Sequence, residues 1–191
     1  MHASLAWGAR VSQEFRARIF QMCDRFMWTD DQASDVMACI AFESARTFSP
    51  SIRNAAGSGA IGLIQFMPFV AHALNTTTLR LAGMTAEAQL DYVEMYFEPY
   101  HTRIRTLPDM YMAILMPKYV GAGNDAILFS DGIAYRQNSG LDANKDGKVT
   151  KGEAAAHVAE QRRLGFEPGN AYLDFSNVRA GVRSTAPEPR S

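Results

Sequence analysis

One carboxylate in this chain has an unusual setting for a surface group. Val36, Met37 and Ile40 fall on one face at helical spacing, and Glu43, three residues after Ile40 and seven after Val36, extends that face. If the face meets a core or a cleft, partial desolvation and the negative end of the helix dipole both disfavour the ionised form and raise the pKa of Glu43. A carboxyl that stays protonated near neutral pH suits general acid catalysis. A solvated glutamate in a fraying last turn would have the same spacing, so spacing alone leaves both readings open.

A second set of oxygen-bearing residues lies in DANKDGKVTKGE, residues 142–153. Oxygen ligands stand at the first, third and fifth positions, glycine at the sixth, threonine at the ninth and glutamate at the twelfth, the full spacing of an EF-hand calcium loop. Gly147 permits the sharp turn, Lys148 offers its backbone carbonyl, Thr150 reaches the ion through its hydroxyl or a water, and Glu153 closes the shell with two oxygens. The ligand set predicted for one Ca2+ is therefore Asp142, Asn144, Asp146, the Lys148 carbonyl and Glu153. An exiting helix over 152–164 follows from its alanine content and Val158, whereas 137–140 reads as a turn and no entering helix is visible. A single loop without a partner is expected to staple the fold rather than to sense calcium. The alternative is a polar turn that binds nothing.

Glu43-Ser44, Phe48-Ser49-Pro50, Ser58-Gly59-Ala60, Gly62-Leu63-Ile64-Gln65 and Met67-Pro68 together resemble the signature of soluble lytic transglycosylases and goose-type lysozymes, as in phage or prophage cell-wall lysins. The likeness is tight over 42–68 and loose in the helices around it. It implies an all-α, lysozyme-like domain that cleaves the β-1,4 bond between N-acetylmuramic acid and N-acetylglucosamine in peptidoglycan glycan strands, with Glu43 as the catalytic acid. Gly57, Gly59 and Gly62 would let a sugar chain approach backbone amides, with Ala60 keeping the wall low. Ser58 and Gln65 are the substrate contacts expected from this stretch, and Tyr111 is either a cleft hydroxyl or a core tyrosine. Many lytic transglycosylases also carry a late alanine-tyrosine-asparagine-alanine-glycine motif. Ala134-Tyr135 with Asn138 and Gly140 only echoes it, which makes Tyr135 and Asn138 further substrate-site candidates and leaves open whether the product is an anhydro-sugar or a hydrolysed end.

Asp91, Glu94, Glu98 and Asp109 read as solvated helix faces, so no second carboxylate declares itself as a base for water. That favours ring closure by the substrate's own C6 hydroxyl, the transglycosylase route. The alternatives are a hydrolytic lysozyme of the same specificity, or a non-catalytic, calcium-stabilised protein that binds the wall or builds a virion. A regulatory calcium-binding protein is disfavoured by the single loop.

Composition sets the remaining bounds. A chain of 191 residues and 21.1 kDa with 47% hydrophobic residues fits one folded domain, expected over 1–180, with a small, polar, disordered tail over 181–191. A formal net charge of -1 gives no cationic character toward nucleic acid. No stretch reaches the roughly 18 apolar residues of a spanning helix, and the start lacks a basic region followed by a long apolar run. The expectation is a protein made in the cytoplasm without a signal peptide, reaching periplasmic or cell-wall peptidoglycan through a phage holin, a tail or a secretion system. His2, His72, His101 and His157 are too scattered for a zinc site, and no nucleophile elbow or phosphate-binding glycine loop is present. Cys23 and Cys39 read as buried thiols rather than a disulfide.

These residues need elements to hold them. Val11, Phe15, Ile19, Met22 and Phe26 predict a helix over 12–27 capped by Ser12, and Thr29 with Gln32 predicts a capping box for a helix over 30–42. A loop over 46–54 leads to a helix after Pro68, broken at 76–78. Thr85 caps a helix to Phe97 with Leu90, Val93 and Phe97 inward and Glu87, Asp91 and Glu94 outward. After a basic connection over 101–105, the apolar run 110–116 is expected to be a central helix. Residues 121–132 read as a flexible turn region, and Tyr172, Leu173 and Phe175 as a patch that packs back on the domain.

Overall fold

Local hydrogen bonds start the first two helices. The Ser12 hydroxyl accepts from the Phe15 amide to open α1 (Gln13–Phe26), and Thr29 and Gln32 form a reciprocal capping box that opens α2 (Asp30–Glu43). The computed structural model describes residues 4–55 and 57–173, and these are mostly helical. After α2 come α3 (Pro68–Ala73), α4 (Thr78–Ala82), α5 (Ala86–Phe97), α6 (Leu107–Leu115), α7 (Gly132–Asn138) and α8 (Lys151–Gly165). Two small antiparallel pairs complete the fold: β1 (Ser4–Leu5) with β4 (Tyr172–Leu173), and β2 (Ile127–Phe129) with β3 (Val149–Thr150). Tyr172 and Leu173 thus do return to the domain; Phe175, the end of the predicted domain and the predicted tail over 181–191 lie outside the described residues.

The centre of the fold is α2. Its spacing predicts a single apolar face, but the helix is buried on all sides from Ala33 to Ala41, packed by α1, α6, α8 and β1. Small residues at Ala33, Ser34, Ala38, Cys39 and Ala41 let those neighbours come close. Asp30 and Asp31 occupy its first turn, whereas Asp35 is buried and takes Arg162 Nε from α8 at 2.7 Å. Burial pushes Asp35 up to about 6 despite the guanidinium beside it. Cys23 and Cys39 are buried free thiols, and burial raises both, Cys23 to about 12.

Several expectations need correction. Thr77 does not only end the preceding helix; its hydroxyl accepts from the Arg80 amide and caps α4. Glu94 is not turned outward: its side chain is 15% exposed and pairs with Arg25 at 2.7 Å. The region 121–132 contains β2, and α7 supplies a helix ahead of the 142–153 loop where the sequence reads as turn. Asp109 is buried in the first turn of α6, not solvated. Its carboxylate accepts from Lys151 Nζ at 2.5 Å, the Gly121 amide at 2.8 Å, the Arg105 amide at 3.2 Å and the Thr106 hydroxyl at 3.0 Å. Burial opposes its ionisation, but these four donors together hold its pKa below the ordinary value. Among the described residues, no helix is long and apolar enough to cross a membrane.

Candidate functional site

Glu43 is the last residue of α2, where the helix leaves the core, and its side chain is only partly accessible. Burial alone pushes its carboxyl from the ordinary 4.5 up to about 7, so it is half protonated near neutrality. Two phenols share its surroundings. Tyr111 is buried and stands edge-on to Phe42 at 5.6 Å between ring centroids, and its pKa is raised first by burial and then by the charge of Glu43. Tyr96 donates to the Ala113 carbonyl at 2.7 Å, and burial, Tyr100 and Glu43 raise its pKa in that order. Tyr96, which the sequence reading missed, belongs to the Glu43 environment as much as Tyr111 does.

The chain after Glu43 is held by its neighbour Ser44. Ser44 is fully buried, and its hydroxyl accepts from the Phe48 amide at 3.1 Å. Its carbonyl accepts from both the amide and the hydroxyl of Thr47. This tight exit sets Ala45, Arg46 and Phe48 in the left-handed backbone region, at φ of 50°, 64° and 53°. Three non-glycine residues there cost about 1 kcal/mol or more each, a cost that clusters at functional sites.

The glycine stretch then folds back as a small β-like turn, with Ile61 bridged to both Arg53 and Phe66. Gln89 of α5 pins it: fully buried, it accepts from the Leu63 amide at 2.7 Å and donates to the Pro50 and Leu81 carbonyls at 3.0 and 2.9 Å. Gly62 has a φ of 81°, and a Cβ there would stand 2.3 Å from the Gln89 amide oxygen, so glycine is required twice over. Gln65 also has a positive φ, 54°, and its amide donates to the Ile52 and Gly62 carbonyls at 3.3 and 3.2 Å. Ser58 is exposed, and its hydroxyl accepts from the Ala60 amide at 3.2 Å. Gln65 and Tyr96 line a cavity of about 290 Å³ with Phe69, Tyr100, Ile114 and Leu115.

The late candidates are engaged elsewhere. The Tyr135 hydroxyl donates to Asp142 Oδ2 at 2.8 Å, and the Asn138 amide donates to the Ala134 carbonyl of its own helix at 2.9 Å. Both therefore belong to the approach to the 142–153 loop.

That loop is knit by short-range bonds. Asp142 Oδ2 also accepts from the Gly147 amide at 3.0 Å, Asn144 Oδ1 from the Asp146 amide at 2.8 Å, and Asp146 Oδ1 from the Lys148 amide at 2.9 Å. Thr150 caps α8 and forms a capping box with Glu153, whose carboxylate also accepts from the Asn144 amide at 3.4 Å. These bonds draw both ends and the middle of the loop together. Asp142 is 8% exposed, and among the described residues its Oδ1 is buried without a hydrogen-bond partner. Comparison with protein-family models, curated proteins and solved structures found no match.

Proposed function

We propose that this protein is a lysozyme-like muramidase, cleaving the β-1,4 bond between N-acetylmuramic acid and N-acetylglucosamine in peptidoglycan with Glu43 as the acid. The observation that carries the reading is the burial of Glu43, which brings its pKa to about 7 at the end of a core helix. A carboxyl with that pKa holds a proton for a glycosidic oxygen at neutral pH and accepts one back afterwards. The strained exit at Ala45, Arg46 and Phe48 and the pinned glycine turn fit a site held at fixed geometry. Gln65, Ser58 and Tyr111 are the proposed substrate contacts. Tyr135 and Asn138 are better suited to supporting the 142–153 loop.

The transglycosylase route is favoured by the pairing of the other candidate carboxylates. Glu43 owes its shift to burial, with no contribution from a second acid. Asp91 pairs with Arg18, Glu94 and Glu98 with Arg25, and Asp109 with Lys151. In this route Glu43 protonates the leaving O4 oxygen as the C1–O4 bond breaks. The muramic C6 hydroxyl then bonds to C1 and its proton returns to the Glu43 carboxylate. Mass spectrometry of fragments released from purified sacculi is expected to find 1,6-anhydro-muramic ends. Reducing ends one water heavier would replace this route with hydrolysis, and intact glycan strands would overturn the muramidase reading itself.

The loop 142–153 is proposed to hold one structural Ca2+ through Asp142, Asn144, Asp146, the Lys148 carbonyl and Glu153. Among the described residues no group of three His, Cys, Asp or Glu side chains is drawn together as a metal cluster. An EF-hand set, however, also takes amide and backbone oxygens. The fit rests on Asp142 Oδ1: a buried carboxylate oxygen without a donor is costly unless something positive reaches it. The sites of action proposed are periplasmic or cell-wall glycan strands, reached through a holin, tail or secretion partner.

A further inference from the structure

Lys151 occupies the tenth position of the 142–153 loop, two residues before Glu153, yet it is only 1% exposed. Its three ammonium protons have three acceptors: Asp109 Oδ1 at 2.5 Å, the Ala122 carbonyl at 2.7 Å and the Tyr119 carbonyl at 3.2 Å. Its own amide donates to the Ala126 carbonyl at 2.9 Å. A buried lysine at the root of a solvent-facing loop is therefore fastened to the first turn of α6. The same Asp109 also gathers the Gly121, Arg105 and Thr106 donors, so movement of Lys151 would disturb everything that fixes the start of α6. Two residues further along, α6 carries Tyr111 against Phe42, the residue preceding Glu43, and its Ala113 carbonyl holds the Tyr96 hydroxyl.

We propose that the Lys151–Asp109 pair is a positioning link through which calcium in the 142–153 loop orders α6 and, with it, the Tyr96 and Tyr111 side of the Glu43 site. The inference rests on the calcium reading of that loop. The ion sets Glu153, and through the first turn of α8 it sets Lys151. Fully buried, hydrogen-bonded ion pairs respond sharply to displacement because either partner left alone loses its compensation. Lys151 and Asp109 act here through α6 and touch no substrate.

The test is hydrogen exchange of the full chain with calcium and with chelator, read as a ratio. The slowing of the Met110 to Ala113 amides is divided by that of the Ile19 to Cys23 amides in α1, which cancels global stabilisation. Because Lys151→Met alone strands the Asp109 charge and risks unfolding, the comparison uses the double variant Lys151→Met with Asp109→Asn, which removes the charge and keeps one acceptor oxygen at position 109. The wild type is expected to give a ratio of at least tenfold and the double variant a ratio near one, with calorimetric calcium binding kept in both. A wild-type ratio of one with calcium bound overturns the link and leaves the metal site standing, and a tenfold ratio retained in the double variant removes the pair from it. Absence of calcium binding in the wild type defeats the metal reading and the link together.

Discussion

Replacing Glu43 by glutamine should leave the protein folded while lowering glycan cleavage roughly 10²–10⁴-fold, the range that a positioned general acid contributes. Glutamine matches the shape of the side chain but carries no proton to give. The same variant should also change the pH dependence of stability. A carboxyl whose folded pKa is raised from 4.5 to about 7 contributes stability that is fully present below 4.5 and is lost as pH rises through 7. Above that pH the wild type bears a part-buried charge that Glu43→Gln lacks. The variant should therefore be more stable than the wild type at pH 8, by at most about 3 kcal/mol given the partial accessibility of the site, and the difference should vanish near pH 4. Thermal melts across that range, run beside a lysis assay, check both halves. A variant that is folded and fully lytic would remove Glu43 from the chemistry.

Calcium is expected to have the second large effect, on stability. An ion that binds the folded loop and not the unfolded chain stabilises by mass action, about 2.7 kcal/mol at a hundredfold excess over its dissociation constant. For a chain of this size that raises the melting temperature by roughly 5–10 °C. Asp142→Ala and Glu153→Ala should each abolish the rise. Asp142→Ala acts by removing the carboxylate that carries the buried Oδ1, and Glu153→Ala by breaking the capping box of α8 as well. Lysis on chelation should fail together with the local fold. A melting temperature indifferent to calcium, with no binding heat, would defeat the metal assignment, and a fully folded apo protein that needs calcium only for turnover would defeat its structural role.

What could be read from the sequence was local. Ser12, Thr29 with Gln32, and Thr85 all cap helices whose hydrogen bonds close within three or four residues, so adjacent letters determine them. The 110–116 run is also helical as far as Leu115, with Pro108 in its first turn. The entering helix α7 was illegible because it buries no residue and so leaves no apolar period. Its anchor, Tyr135 to Asp142, shows only in three dimensions. Asp109 looked like a solvated acid because its partner Lys151 lies 42 residues away, and nothing in either neighbourhood marks the pair. Gln89 was hidden for a similar reason: it serves Pro50, Leu63 and Leu81 at once. A polar residue beside the inward Leu90 was the only available hint.

In the proposed mechanism burial keeps Glu43 partly protonated near neutral pH so that it can act as an acid. This is tested most directly by titrating that carboxyl, using carbon-13 labelled glutamate and the Glu43→Gln spectrum to assign the signal, beside the pH profile of glycan cleavage. The resonance is expected to move with a midpoint near pH 7, and cleavage to fall about tenfold per pH unit above it, as the protonated fraction is lost. A midpoint at the ordinary 4.5, with cleavage indifferent to pH between 6 and 8, would contradict that mechanism.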